Sequence, residues 1–534
     1  MNTKTDKKTP FFLRIPVLWC AFLCAAVGAC GFRTFRLFWV FYDPNTFFLG
    51  GAKGLFVISI AVSALAAAVL ALRLYVPAVK GKPTENSKVL CVLGGIAFVL
   101  GVIFFVADIV LFILSGAEAA QPIFLNFKKD LPFTAPVLAV AVAVLALPRL
   151  KGKGRAVLAL CMAACILASS LWALFPMHAY RFESDPVVMD TGEDYAVVFA
   201  TNQKGTGFVH YTYGGKTYTV YAQTHGRRIG DRLIHSVHIP YAHLKGNRYT
   251  VGSTRVIEEY GYGSRLGATI TSPVYTLQVN EGDTQRYLVI SDWHTRLKEA
   301  KAAISRLGEY DAVVMLGDPA GSMDYEEQAV QNVVRFGGDL TGGAMPVIYV
   351  RGNHETRGAF AADFPAYIGY ERLYYTVGRG DYHFLVLDSG EDKEDTHIEY
   401  GGMTDYTRNR LDMLNWLREQ KPLGNKTVVF SHAWQVCEPE TEAAESLAAW
   451  NEMDRLGARF LISGHTHTCE VLSKENAQAA PYLAAHPSMT AYIDGGITEE
   501  GGCIVSKLTL TPQSVQIEAA DDVGNKVTDE TFSW

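Results

Sequence analysis

Five short polar motifs stand in order in the second half of this 534-residue chain, each attached to an apolar, β-rich run. Asp292-Trp293-His294 follows the run 287–291, Gly317-Asp318 follows 313–316, and Gly352-Asn353-His354-Glu355 follows 347–350. Ser431-His432 closes the run 428–431, and Gly464-His465-Thr466-His467 follows 460–463. Carboxylates, imidazoles and one amide at successive strand ends make a nest of hard oxygen and nitrogen donors. Such a nest suits two divalent metals. An open α/β sheet gathers groups in this way, because ligands collect at the carboxyl ends of its strands.

The spacing within each motif has a physical reason. Asp292 and His294 are two residues apart, so both side chains can leave an extended turn on the same side. His465 and His467 repeat that relation. Asp318 comes from a second strand and has two oxygens with which to bridge two ions. Asn353 offers a neutral carbonyl oxygen, which limits the negative charge, and His432 adds one more nitrogen.

The order and content of these motifs resemble the calcineurin-like metallophosphoesterases, over a stretch from about Arg286 to the C-terminus. The resemblance implies that Asp292, His294, Asp318 and His467 hold one metal, and that Asp318, Asn353, His432 and His465 hold the other. It implies that His354 touches the substrate phosphate and protonates the leaving group. The expected chemistry is attack on phosphorus by metal-activated hydroxide, with no covalent phosphoenzyme. No Gly-rich phosphate loop with Lys occurs, so a nucleotide-triphosphate motor has no support. Arg351, Arg357 and His397 are candidate contacts to phosphate or a headgroup, with ordinary surface roles as the alternative.

The first third of the chain has a different character. Apolar runs at 15–32, 55–72, 89–114, 131–147 and 156–175 are each about long enough to cross a bilayer. Buried helices of a soluble protein are the alternative, which five such runs in one third of the chain disfavour. Lys and Arg concentrate in the N-terminal tail and in the second and fourth loops. Since cytoplasmic loops carry the excess of positive charge, the N-terminus is expected inside and residues 183–534 outside. The first run also has the pattern of a signal peptide. Residues 1–182 hold 18 basic and 6 acidic residues, against 30 basic and 48 acidic in the remainder. An acidic outer part argues against nucleic acid as a partner and leaves membrane lipids and a phosphoester substrate as the expected ones. Asp108, inside the third run, and the aromatic stretch 35–48 are the unusual features of this region. Cys437, Cys469 and Cys503 imply no disulfide framework.

Between the two lie short β-rich runs punctuated by Gly, Asn and Asp, which suggest a β-sandwich over 183–282. This resembles the fibronectin-III-like domain that precedes the catalytic domain of purple acid phosphatases. The comparison departs at two places. That family has Asp-x-Gly where this chain has Asp292-Trp293-His294, and a metal-binding Tyr where this chain has Gly321. Without a phenolate ligand the expected ions are Mn, Zn or Fe(II).

The expected architecture is therefore multidomain. A transmembrane bundle of about five helices (1–182) precedes a β-sandwich (183–282) and an α/β metallophosphoesterase domain of two packed mixed sheets flanked by helices (283–534). The expected function is an extracytoplasmic, membrane-anchored phosphoesterase acting on mono- or diesters. The alternatives are an inactive phosphoesterase-like sensor and a lipid-handling membrane protein with an accessory hydrolase.

Overall fold

The computed structural model describes residues 9–34, 58–59, 61–70, 72–73, 87–114, 180–260, 263–437, 440–473, 475–476, 478–498 and 500–534. The chain divides into two compact units, Met1–His178 and Ala179–Trp534.

In the first unit, helix Ile15–Thr34 packs along helix Lys88–Leu114. A Cβ at Gly94 would lie 2.7 Å from the Phe12 carbonyl oxygen, and one at Gly101 would lie 2.7 Å from that of Ala21. These glycines let the backbones approach closely, as small residues do between membrane helices. Val89, Val92, Ile96, Val99, Ile103 and Val106 form an exposed apolar stripe at helical spacing on the second helix. Among the described residues one helix, Lys88–Ala107, is long and apolar enough to cross a membrane, and Ile15–Ala26 and Ala61–Leu70 are shorter apolar helices. The expected spans 131–147 and 156–175 and the aromatic stretch 35–48 lie outside the described residues.

The second unit is built on two sheets. The larger runs in the order 526–533, 514–521, 503–510, 285–290, 312–315, 346–349, 187–190, 195–213, 248–260 and 263–271. The smaller runs 375–379, 382–387, 427–431, 458–463, 490–493 and 470–471. Four consecutive strands of the larger sheet (285–290, 312–315, 346–349 and 187–190) and four of the smaller one (382–387, 427–431, 458–463 and 490–493) run parallel to one another, and the strands beyond them pair antiparallel.

The period of two in these strands decides which face meets which layer. Phe384, Val386, Val428, Phe430, Phe460, Ile462 and Tyr492 point into the core shared with the larger sheet. Their neighbours Leu385, Leu387, Val429, Leu461, Ala491 and Ile493 point outward. There they meet Met413, Leu414 and Leu417 of helix Tyr406–Glu419, and Ala449, Trp450 and Met453 of helix Ala443–Leu456. The larger sheet is covered on its other face by helix Leu297–Ile304 and by the helical stretch from Glu326 to Thr341.

The segment expected as a sandwich over 183–282 has a two-layered core but is not separate. One 19-residue strand, Tyr195–Tyr213, serves both layers. Its first half lies between strands 187–190 and 232–239, and its second half between 216–221 and 248–260. The register shifts between Ala200 and Gly205, and the two halves share one core containing Val188, Phe199, Val209, Val237 and Val251. Strand Val187–Asp190 is buried throughout and pairs in parallel with Pro346–Tyr349. Its second edge is thus taken by the strand that leads into Gly352-Asn353-His354, and the expected boundary near 283 cuts through a continuous sheet.

A buried ion pair reinforces this junction. Arg379, at the end of strand Tyr375–Arg379, reaches the fully buried Asp190 carboxylate, which also accepts from Tyr241 Oη (2.5 Å) and the Gly192 amide (3.1 Å). Removing one partner of such a pair leaves an uncompensated buried charge, at a cost of about 3–5 kcal/mol. Arg379→Met is therefore expected to lower the unfolding free energy by about that amount, measured by chemical denaturation. A loss below about 1 kcal/mol would show that the junction does not depend on the pair.

Candidate metal centre

The seven side chains expected as ligands converge at the carboxyl ends of five parallel strands. Asp292 and His294 follow strand Gln285–Ile290, Asp318 follows Ala312–Met315, and Asn353 follows Pro346–Tyr349. His432 follows Thr427–Ser431 in the other sheet, and His465 and His467 follow Ala458–Ser463. The facing sheets thus bring their strand ends to one place.

Strong turns aim these groups. Asp292, His294, Asp318, His465 and His467 all adopt positive φ, between 36° and 72°. Non-glycine residues in that region are uncommon and cluster at functional sites. Backbone bonds hold the turns together: Asp292 N–H donates to Gly317 O (3.0 Å), His294 N–H to Asp318 O (3.1 Å), and Gly464 N–H to His432 O (2.9 Å). Trp293, between the first two ligands, is fully buried and its indole donates to Asn332 O at 3.2 Å. Gly352 has no alternative, since a Cβ there would lie 2.2 Å from Asp318 Oδ1.

Asp318 is the hub. Its Oδ2 lies 3.2 Å from His432 Nε2, 3.7 Å from His354 Nε2 and 3.8 Å from His294 Nε2, while its Oδ1 accepts the His354 amide at 2.9 Å. Asp292 Oδ1 lies 3.2 Å from His467 Nε2 and 3.8 Å from His432 Nε2, and its Oδ2 accepts the His465 amide at 2.8 Å. Three sets of donor atoms lie close enough to share an ion: Asp292, His294 and His467; His294, Asp318 and His354; and Asp318, His432 and His465.

The electrostatics show a demand for positive charge. Burial pushes the Asp318 carboxyl upward, but His432, His354 and His294 outweigh it and hold it well below the usual range. Burial disfavours charge on His432 too, yet Asp318 and Asp292 raise it well above an ordinary histidine. Its Nδ1 is 2.7 Å from the Leu316 carbonyl oxygen and donates to it, which turns Nε2 to the nest. The fit of a cation is tested by Asn353. Its Oδ1 faces His432 Nε2 and His465 Nδ1, each at 3.2 Å. With Nε2 and Nδ1 unprotonated, these three atoms are a donor set that a metal between them would satisfy. With the amide turned over, Nδ2 would donate to those atoms and Oδ1 would accept from Arg357 at 3.0 Å, satisfying the nest by hydrogen bonds alone.

Several supporting residues escape a reading by motif. Glu355 is fully buried and accepts from the Asp318 amide (2.9 Å), Tyr349 Oη (2.7 Å) and the Gly352 amide (3.1 Å). Burial and the nearby Asp318 push it up to about 8. Asp494 ties strand 490–493 to the first motif, accepting from the Ser291 amide (3.0 Å) and from Ser291 Oγ (3.1 Å). Burial pushes it up to about 7. Glu355 stands within its motif and was legible as polar, but Asp494 carries no local signal beyond its place at a strand end.

His354 sits at the half-exposed mouth. Its Nδ1 donates to the Gly321 carbonyl oxygen at 2.8 Å, so Nε2 faces the nest. The glycine at the position where purple acid phosphatases have a ligand Tyr thus supplies a backbone acceptor. Arg357 Nη1 lies 3.4 Å from His354 Nε2, whereas Arg351 closes its fork on Asp388 at 3.0 and 2.6 Å. His397 lies in the 395–401 turn, where its Nδ1 accepts the Glu399 amide at 3.4 Å.

With this geometry in place, residues 285–469 match the sequence profile of the Calcineurin-like phosphoesterase family. No curated protein matches the chain. Among solved structures, a predicted phosphoesterase from Streptococcus pneumoniae TIGR4 is 13% identical, with 47% of this chain and 98% of that one covered and a TM-score of 0.23. A metallophosphoesterase from Sphaerobacter thermophilus is 15% identical, with 46% and 89% covered and a TM-score of 0.23. A cold-active protein-tyrosine phosphatase of a psychrophilic Shewanella is 14% identical, with 66% and 99% covered and a TM-score of 0.24. Residues 285–469 form a calcineurin-like metallophosphoesterase domain, of the class of hydrolases that act on phosphoester bonds.

Proposed function

We propose that this protein is a membrane-anchored, extracytoplasmic phosphoesterase with a dinuclear metal site. The observation that carries the reading is the clustering of Asp292, His294, Asp318, His432, His465 and His467 in overlapping donor sets, with the Asn353 side-chain amide 3.2 Å from both His432 and His465. Asp292, His294, Asp318 and His467 would hold one ion, and Asp318, Asn353, His432 and His465 the other. A divalent pair, of Mn, Zn or Fe(II), supplies Lewis-acid charge at the phosphoryl oxygens and a water nucleophile active at neutral pH.

The chain's own residues do the rest. The Leu316 carbonyl fixes the His432 tautomer, and Glu355 holds the Asp318 amide, so the two central ligands are oriented before any substrate arrives. His354, with Nδ1 committed to Gly321 O, presents Nε2 to the leaving oxygen as a proton donor. Arg357, beside it, offers Nη1 to a phosphoryl oxygen. Arg351 serves as a structural tie to Asp388.

The membrane reading rests on the apolar runs, the Lys88–Ala107 helix and the placement of basic residues before residue 183. A protease added to intact cells should then clip the 183–534 part. Protection of that part would reverse the orientation.

Metal dependence has its own test. Purified protein should approach two divalent ions per chain by elemental analysis, and a chelator should abolish hydrolysis of aryl phosphoesters until Mn or Zn is restored. Asp318→Asn should lose metal as well as rate. Full activity in metal-stripped protein would sink the proposal.

His354→Ala separates proton transfer from metal assembly. It should keep both ions and lose about 10²–10⁴-fold in kcat, the range of general acid catalysis, with a smaller loss on esters of acidic phenols than on alkyl esters. Equal losses on both ester classes would remove the proton-donor role.

A further inference from the structure

We infer that Glu391 is a positioning residue for phosphoester hydrolysis, acting through Arg357. The inference rests on the phosphoesterase reading above. Arg357 is fixed at both ends. Its carbonyl oxygen accepts the Met323 amide at 2.7 Å, and its side chain forms a two-pronged pair with Glu391, Nε to Oε1 and Nη2 to Oε2, each at 2.8 Å. Nη2 also reaches Asp392 Oδ1 at 3.2 Å. Two of the three guanidinium nitrogens are thus turned to the carboxylates, and Nη1 is left toward His354 Nε2.

Glu391 is itself held from every side. It is 1% exposed. Oε1 also accepts from Thr356 Oγ1 at 2.6 Å, and Oε2 from Tyr400 Oη at 2.8 Å. Its carbonyl oxygen accepts from Arg410 Nη1 at 3.2 Å, and Arg410 is in turn gripped by Glu442 at 2.6 and 2.7 Å. Two ion pairs are thus joined through one residue: Glu442 grips Arg410, Arg410 holds the main chain of Glu391, and the Glu391 carboxylate holds Arg357 beside His354. Surface ion pairs are worth little and are loosely held, but a buried, two-pronged pair fixes direction as well as charge. A fork committed to Glu391 sets the direction in which Nη1 points. That direction is the space in front of His354 Nε2, where a phosphoryl oxygen and the leaving oxygen sit together.

The test uses full-length protein loaded with Mn and a p-nitrophenyl phosphoester assay. Glu391→Gln keeps the shape and removes the charge. It should lower kcat about 10- to 100-fold, as small misplacements at a reacting centre do, with metal content and melting temperature near those of the parent. Arg357→Ala should lose at least as much. Added guanidinium at low millimolar concentration should restore Arg357→Ala about 10-fold or more, and should fail to restore the Arg357→Ala/Glu391→Gln pair, because the carboxylate that aims the guanidinium is gone. Tyr400→Phe, which removes one donor to Glu391, should show a smaller loss in kcat and guards against a folding defect in the Gln variant. Equal rescue of the single and double variants, or full kcat in Glu391→Gln, would overturn the inference. Absence of turnover in the metal-loaded parent protein would instead overturn the phosphoesterase reading.

Discussion

A carboxylate buried as deeply as Asp318, at 1% exposure, needs positive charge or hydrogen-bond donors around it on every side. The surrounding architecture meets that need. His294, His354 and His432 bring their Nε2 atoms to one oxygen, and the His354 amide takes the other. Those groups come from three separate strand ends in two sheets, so the pairing of the sheets and the positioning of the carboxylate are one requirement. Glu355 and Asp494, whose carboxyls burial raises toward neutrality, fill the next layer without adding much negative charge to the first.

The second constraint is conformational. Five of the ligand residues sit in left-handed backbone, at a cost of about 1–2 kcal/mol each for an L-residue. That cost is met by packing below the site, where Trp293 and the central strands are fully buried. The interiors of the central strands that carry the ligands are therefore apolar, and the strained residues are confined to their ends. A rigid floor with strained turns above it holds the donor atoms of each set within 4.8 Å of one another.

Much of the site was legible because its residues come in short local pairs. Asp-x-His and His-x-His at the ends of Val- and Ile-rich runs declare both the strand and the turn. The order of the motifs was legible for the same reason. What was hidden is long-range. Nothing near Glu391 in the chain points to Arg357, and nothing near Asp190 points to Arg379, since each pairing is made only by the tertiary fold. Strand Arg248–Tyr260 has no clear alternation beyond Ser253 to announce it. The turn-type residues of Asn202–Gly205 lie at a register shift inside one long strand, because Gly and Asn mark bulges as readily as turns.

The continuity of the larger sheet has a consequence for how this protein can be divided. Pairing with Val187–Asp190 saturates the outer edge of Pro346–Tyr349. A fragment cut at about residue 283 would bare that edge, four buried residues whose backbone amides and carbonyls would be free to template another chain. The β-rich stretch before the hydrolase is thus a covalently attached edge guard, inherited or exchanged only together with the strand it protects.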